Sequence, residues 1–394
     1  MIQKQISIRA THMRGGTSKG VFLEPNDLPA EARENPTLRD AVLLRVVGSP
    51  DPYGKHIDGM GGATSSTSKV VLISRSTRKD CDVDYLFGAV AIESPVVDWS
   101  GNCGNLTSAV GPFAIQRGLV QAPRDGVATV RIWQANIGKK IVAHVPMIDG
   151  EVQECGDFEL DGVTFPSAEI KLEFMDPGAD EDSEGGAMFP TGRMIDTLDI
   201  PGIGKVEATL INAGNPTVFV DAATLGFNGA ELQPEINGDL AALARCETIR
   251  AHATVAMGLA ATPQEATEKR PHTPKLAFVS SPADYISSSG KAVAAADIDL
   301  NARIFSMGML HHAMTGTGAV AIAVAAAIRG TVVSRVLAEG SLEEVRFGHP
   351  SGKLTVGAAA SENQGVWTVG KATMSRSARR LMDGQVFVPA DYAR

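Results

Sequence analysis

Two side chains in this sequence have surroundings that point to chemistry, a cysteine and a lysine. Cys103 stands in Gly101-Asn-Cys-Gly-Asn105, just before an apolar run from Leu106 to Arg117. That run reads as a buried helix, which puts the cysteine at a helix start. A helix start leaves backbone N–H groups without partners and carries a partial positive charge. Such an end binds carboxylates and makes the thiolate of a cysteine available. A free cysteine is more often a small core residue. Glycine and asparagine on both sides are turn residues, not core filling, and they favour the functional role here.

The lysine closes Gly59-Met-Gly-Gly-Ala-Thr-Ser-Ser-Thr-Ser-Lys69. The segment resembles a phosphate loop only superficially. It lacks the GxxxxGK[ST] spacing, and its glycines precede a strand where a nucleotide loop needs a helix. Its hydroxyls and backbone N–H groups can still hold a carboxylate. Lys69 then enters the apolar run Lys69-Val-Val-Leu-Ile-Ser. A lysine there either snorkels to the surface or, desolvated, serves as a base. The commoner role of one such lysine is to blunt a strand edge, but Lys275 repeats its setting in the second half of the chain.

A third group is His311-His-Ala-Met-Thr-Gly-Thr-Gly318. Adjacent histidines point different ways on regular structure and make poor joint metal ligands. The sequence has no HExxH and no paired-cysteine pattern, so no metal is expected. It also has no GxSxG elbow and no dinucleotide fingerprint, so no cofactor is expected. Asn105-Leu-Thr matches a glycosylation sequon but has no secretory context to give it meaning.

The elements that must position these residues occur twice. Arg14-Gly-Gly-Thr-Ser-Lys-Gly-Val-Phe-Leu23 matches Ile211-Asn-Ala-Gly-Asn-Pro-Thr-Val-Phe-Val220 at an offset of 197. Thr67-Ser-Lys-Val-Val-Leu-Ile-Ser74 matches Thr273-Pro-Lys-Leu-Ala-Phe-Val-Ser280 at 206. The Cys103-Gly-Asn turn and its apolar run match Thr315-Gly-Thr and the run to Arg329 at 212. Any one match is cheap, but three in the same order indicate an internal repeat. Two halves follow: residues 1–185 and 186–394, joined at the acidic, glycine-rich stretch Asp176-Pro-Gly-Ala-Asp-Glu-Asp-Ser-Glu-Gly-Gly186. The sequence leaves open whether the last twenty residues cross back onto the first half.

Most local patterns are strands, such as Val127-Ala-Thr-Val-Arg-Ile-Trp and Ile141-Val-Ala-His-Val-Pro. Each half also has one helix that is apolar on nearly every side, Leu106–Arg117 before Gly118 and Ala319–Arg329 before Gly330. Such a helix must be buried. A curled sheet wrapped around one central helix, built twice, accommodates both facts. Pro112 is expected to kink the first helix or shorten its first turn. Two helix starts facing one cleft would hold a di- or tricarboxylate between them, with proton transfer at the carbon between the carboxylates.

The bulk properties agree. A chain of 394 residues exceeds one ordinary core. A net charge of −9 argues against nucleic-acid backbones, and 5% aromatic residues argue against base stacking. A local positive field can still attract an anionic substrate. The N-terminus has no apolar signal region and no run is long enough to span a bilayer, so a cytoplasmic, non-membrane protein is expected. Cys81, Cys103, Cys155 and Cys246 are widely spaced, as in a reducing compartment.

Taken together, Met13-Arg-Gly-Gly-Thr-Ser-Lys-Gly20, Gly48-Ser-Pro-Asp-Pro-Tyr-Gly54, Asp58–Lys69 and Asp98-Trp-Ser-Gly-Asn-Cys-Gly-Asn105 resemble the PrpF family of the diaminopimelate epimerase-like superfamily. The likeness runs along nearly the whole chain. It implies an α+β fold of two pseudo-symmetric half-barrels, each a curled sheet around a central helix. It implies Lys69 and Cys103 as the catalytic pair. Substrate contacts would come from Arg14, Ser18, Lys19, Thr64, Ser65, Ser66 and Thr67 in the first motifs. Asn102, Gly104, Asn105, Asn215, Lys275, Met309, Thr315, Gly316 and Thr317 would complete them.

The implied activity is cis–trans isomerisation of 2-methylaconitate in propionate catabolism, the 2-methylcitrate route. 4-Oxalomesaconate tautomerisation, or isomerisation of aconitate or methylitaconate, is the alternative within the same chemistry. A non-catalytic accessory that binds an aconitase-like dehydratase is the alternative of another class. A homodimer is expected on general frequency. Epimerases of the superfamily use two cysteines, one per half; here Thr315 stands at the second position, which counts against two-thiol racemisation.

Overall fold

The computed structural model describes residues 4–178, 187–338, 340 and 342–392. Of the acidic stretch expected to link the halves, residues 179–186 lie outside the described residues, and so does the 185/186 boundary.

The first half contains β1 (Gln5–Gly15), β2 (Ser18–Leu23), α1 (Pro36–Val47), β3 (Lys69–Arg75), β4 (Val83–Val90), α2 (Gly104–Gln116), β5 (Gly126–Gln134), β6 (Lys139–Ile148) and β7 (Ile170–Met175). The remainder contains β8 (Asp196–Ile200), β9 (Gly204–Ala213), β10 (Asn215–Asp221), α3 (Leu240–Ala256), β11 (Lys275–Ser280), β12 (Leu300–Ser306), α4 (Gly316–Ala327), β13 (Glu344–His349), β14 (Gly352–Asn363), β15 (Val366–Arg376) and β16 (Ala378–Pro389). Short helical turns and two-residue strands fill the connections.

The pairing sense repeats strand for strand. From β1 to β7 successive pairs run antiparallel, parallel, antiparallel, parallel, antiparallel, antiparallel. From β9 to β15 they follow the same series. Ser18 and Asn215, Lys69 and Lys275, and Gly104 and Gly316 open equivalent elements at the offsets the sequence repeat predicts.

Parallel pairs need crossover connections, and each one here carries a helix. The β2–β3 and β10–β11 crossovers contain α1 and α3. These helices cover the outer sheet faces with separate apolar layers, one including Val42, Val46, Val70 and Val21, the other Ile249, Ala253, Leu276 and Val218. The β4–β5 and β12–β13 crossovers contain α2 and α4, which lie on the inner face within one continuous core. Every residue from Gly104 to Ala114 and from Gly316 to Ala326 is buried. The absence of charge in these helices is therefore required. A charged side chain there would have no water to reach. α2 continues past Pro112 to Gln116, so the proline does not shorten it.

The C-terminal strands close the architecture. β15 pairs with β14 on one side and with β7 on the other; β16 pairs with β1. The strands that flank the two edges of the first-half sheet, β15 beside β7 and β16 beside β1, are thus consecutive and joined by Ser377 alone. That junction forces the sheet to curl around α2. The Ser377 carbonyl accepts from Gly16 N at 2.8 Å and from Ser108 Oγ, on α2, at 3.2 Å.

Candidate active site

α2 and α4 begin where the sequence places Cys103 and Thr315, which are their N-caps. The two helix starts touch through backbone. A Cβ on Gly316 would lie 2.3 Å from the Gly104 carbonyl carbon, and one on Gly104 would lie 2.7 Å from the Gly316 carbonyl carbon. Only glycine permits this approach. Two positive helix ends therefore converge on one point.

Lys69 opens β3 beside this point and donates a hydrogen bond from Nζ to Cys103 Sγ at 3.2 Å. Both residues are buried, at 4% and 6% exposure. The ammonium lies over the Phe87 ring, 5.4 Å from its centroid. Cys103 makes no side-chain cap. Its carbonyl is held instead, accepting from Thr107 Oγ1 at 3.0 Å and Tyr85 OH at 3.3 Å. Burial, then the nearby Cys103, pushes the Tyr85 phenol well above its ordinary value, so it stays a donor.

The second lysine is set differently. Lys275 opens β11 and donates to Ser306 Oγ at 3.0 Å and to His272 Nδ1 at 3.1 Å. His272 Nε2 faces the Asn102 carbonyl at 3.4 Å, and a carbonyl only accepts, so Nε2 carries the proton and Nδ1 is the acceptor. Burial, then the Lys275 charge, keeps this imidazole far below its usual pKa. Burial, then the Lys69 charge, brings Lys275 down to about 7.

The turn between the halves is fixed from both sides. Asn215 accepts from Asn102 N at 2.7 Å and donates to its carbonyl at 2.9 Å. Asn105 donates to Thr17 Oγ1 at 2.9 Å and to the Met314 carbonyl at 3.1 Å, and accepts from Arg376 Nε at 2.9 Å. Three buried donors here have no partner among the described residues: Ser18 Oγ, Asn102 Nδ2 and His311 Nε2. Buried donors of this kind are costly unless something fills the site.

The PrpF protein family matches residues 5–389. The chain belongs to this family. A 2-methyl-aconitate isomerase of Shewanella oneidensis is 64% identical to this PrpF-family chain over 388 residues, 98% of each sequence. A 2-methyl-aconitate isomerase of Cupriavidus necator is 62% identical over 390 residues, again 98% of each. The crystal structure of a methylitaconate-delta-isomerase is 40% identical, with a TM-score of 0.75, covering 99% of this chain and 97% of that one. The expected α+β architecture of paired curled sheets stands.

Among the residues singled out in the sequence, Lys69, Cys103, Asn102, Gly104, Asn105, Asn215, Lys275, Thr315, Gly316 and Thr317 are buried at or beside the meeting of the helices. Ser66 binds β2 through its carbonyl, accepting from Lys19 N at 2.9 Å. Thr64 Oγ1 bonds the Ser66 and Thr67 hydroxyls at 3.0 and 2.8 Å, and Ser65 lies half-buried between them. Arg14 serves the barrel closure, donating to Ser377 O and to Ser167 Oγ. Met309 is 42% exposed on a short hairpin opposite Ser306, unlike the buried residues around the pair. His311 and His312 stack at 4.6 Å.

Sequence reasoning passed over His272, Ser306, Phe87, Tyr85 and Arg376. A histidine three residues before the second lysine was the one available signal. The others come from strands whose inward faces only the fold reveals.

Proposed function

We propose that this PrpF-family protein is a cofactor-independent 2-methylaconitate cis–trans isomerase in which Lys69 and Cys103 form one proton-transfer unit. The observation that carries the chemistry is the 3.2 Å Lys69–Cys103 contact at the junction of two helix N-termini. The substrate assignment draws on relatives above 60% identity along the whole chain.

One member of the pair takes a γ-proton from the substrate. The freed electrons spread through the conjugated system as a dienolate. The N–H groups of α2 and α4, with Lys275, face the charge that develops on carboxylate oxygen, and preorganised donors of this kind lower such barriers. The central bond loses double-bond character and rotates, and the pair returns the proton. Atoms and charge balance without a second reactant. Thr315 supplies no second thiol, so the reaction uses one proton-transfer centre. Residues 1–185 and 186–394 are proposed as the two half-barrels that provide one helix start each. The same reading places the enzyme in the cytoplasm beside an aconitase-like dehydratase that would exchange substrate with it, with a homodimer as the expected assembly.

The test is incubation with 2-methylaconitate in D2O, following isomer composition and deuterium uptake by NMR. Cis–trans conversion with deuterium at the allylic position is expected. Uptake without conversion would move the assignment to an oxo-acid tautomerase. Absence of both, with ligand binding retained, would overturn the catalytic reading in favour of an accessory binding protein.

A further inference from the structure

Beside the catalytic seam lies a cleft of about 300 Å³ whose wall includes Ser66 and Thr67, just before Lys69, and Thr17, which binds Asn105 on the first turn of α2. Ligand pockets begin at roughly this size. Three cations line it. Arg14 pairs directly with Lys19 on β2 and directly with Arg379 on β16, so Arg379, Arg14 and Lys19 stand side by side across three adjacent strands. Like charges directly opposite one another destabilise a sheet. Among the described residues no acidic side chain lines the cleft. Glu154, the carboxylate whose field reaches Arg14, is not on the wall, and its Oε1 accepts from the Arg380 amide at 2.8 Å. The arrangement opposes the protein's net charge of −9.

We propose that the Arg379–Arg14–Lys19 ladder is a capture site that draws the polycarboxylate to the catalytic seam, with Arg379 acting there by its charge. The proposal rests on the isomerase reading above and adds the route by which an anion reaches a buried pair on a negatively charged protein. Arg14 already spends its guanidinium on Ser377 and Ser167, so it fixes the position of the ladder. The Arg379 side chain is exposed and makes no hydrogen bond or ion pair among the described residues. The buried, unpartnered Ser18 hydroxyl adds a donor on the same wall. Phe165 and Leu381, 66% and 43% exposed, give the rim an apolar lining that strengthens the field inside. Two electrostatic effects agree with this geometry. Arg14 is lowered to about 10 by burial and then by Arg379. His312, on the cleft wall, is lowered by burial and then by Lys69, which sets the cleft within electrostatic reach of the catalytic lysine.

Two measurements test the proposal on the full chain. In the first, initial rates with 2-methylaconitate at low and high salt are compared for wild type, Arg379→Gln, Arg379→Lys and the exposed control Lys205→Gln, which changes net charge equally. Arg379→Gln is expected to lower kcat/KM at low salt on the order of threefold to tenfold, with a flatter salt dependence and the loss in KM. Arg379→Lys should restore the rate and Lys205→Gln should match wild type. In the second, citrate binding is measured calorimetrically, which needs no turnover, and it should weaken in Arg379→Gln. Equal citrate affinity and an equal salt slope in Arg379→Gln and wild type would overturn the capture site. Loss of turnover in wild type with citrate binding still dependent on Arg379 would instead overturn the isomerase assignment alone.

Discussion

The two halves of the molecule meet at equivalent residues and use them differently. Lys69 and Lys275 open equivalent strands, and Cys103 and Thr315 cap equivalent helices. In the first half the lysine bonds the cap residue itself, Nζ to Sγ at 3.2 Å. In the second, Thr315 Oγ1 accepts from Gly318 N at 3.1 Å and is consumed as a structural cap. Lys275 instead bonds His272 and Ser306. A duplicated scaffold has thus kept two converging helix starts and a single lysine–cysteine contact, which the proposed reaction uses as two anion-binding ends and one proton-transfer centre. The fold supplies symmetry of binding, and side chains off the repeat supply asymmetry of chemistry.

The comparison breaks most severely where the chemistry sits. Lys69→Ala and Cys103→Ala should each lower kcat by about 10²–10⁴-fold, the usual loss of a general acid–base group. Full activity in both variants would end the assignment. A smaller effect is expected from Lys275→Met and should appear as pH dependence. Burial, then Lys69, brings Lys275 down to about 7 from 10.5. Between those values the unfolded chain holds a proton that the folded chain lacks, so this lysine makes the fold more stable as pH rises through that window. Below it, the full cost of burying the charge remains. The thermal midpoint of Lys275→Met, relative to wild type, should therefore be most favourable near about pH 6 and least favourable near about pH 10. A difference independent of pH would show that Lys275 is not the titrating group. The smallest effect belongs to Thr315→Ala, which removes a helix cap worth about 1 kcal/mol and should lower the denaturation midpoint while kcat changes much less than in Cys103→Ala. A collapse of kcat equal to that of Cys103→Ala would restore the symmetry denied here.

Much of this could be read from the chain because the informative signals were local. Gly101–Asn105 is turn chemistry before an apolar run, and that alone marks a helix start next to a cysteine. The repeat offsets located Lys275 and Thr315 without any contact being known. The crossover helices α1 and α3 were missed, although Asn35 and Asp239 cap them and Gly48, in the left-handed region, ends α1. Their half-exposed faces lack the uniform apolar character that exposed α2 and α4. Ser306 and Phe87 belong to the site only through strand register, a long-range property, and His272 comes from the loop before β11. The helix starts were set two or three residues too late, at Leu106 and Ala319, because small polar residues open helices that apolar patterning cannot see.

The Ser377 junction has a consequence for how the protein is made. β1 and β7, the edges of the first sheet, acquire their outer partners only from residues 371–389. During synthesis the ribosome must add nearly two hundred residues after β7 before those partners exist, a delay of about 10–40 s at ordinary elongation rates. Throughout it the nascent first half presents two unpaired strand edges, the surfaces most prone to associate with other chains. The first sheet can therefore close only after β15 and β16 have been made, and a ribosome that stops short of β15 leaves both of its edges unpaired.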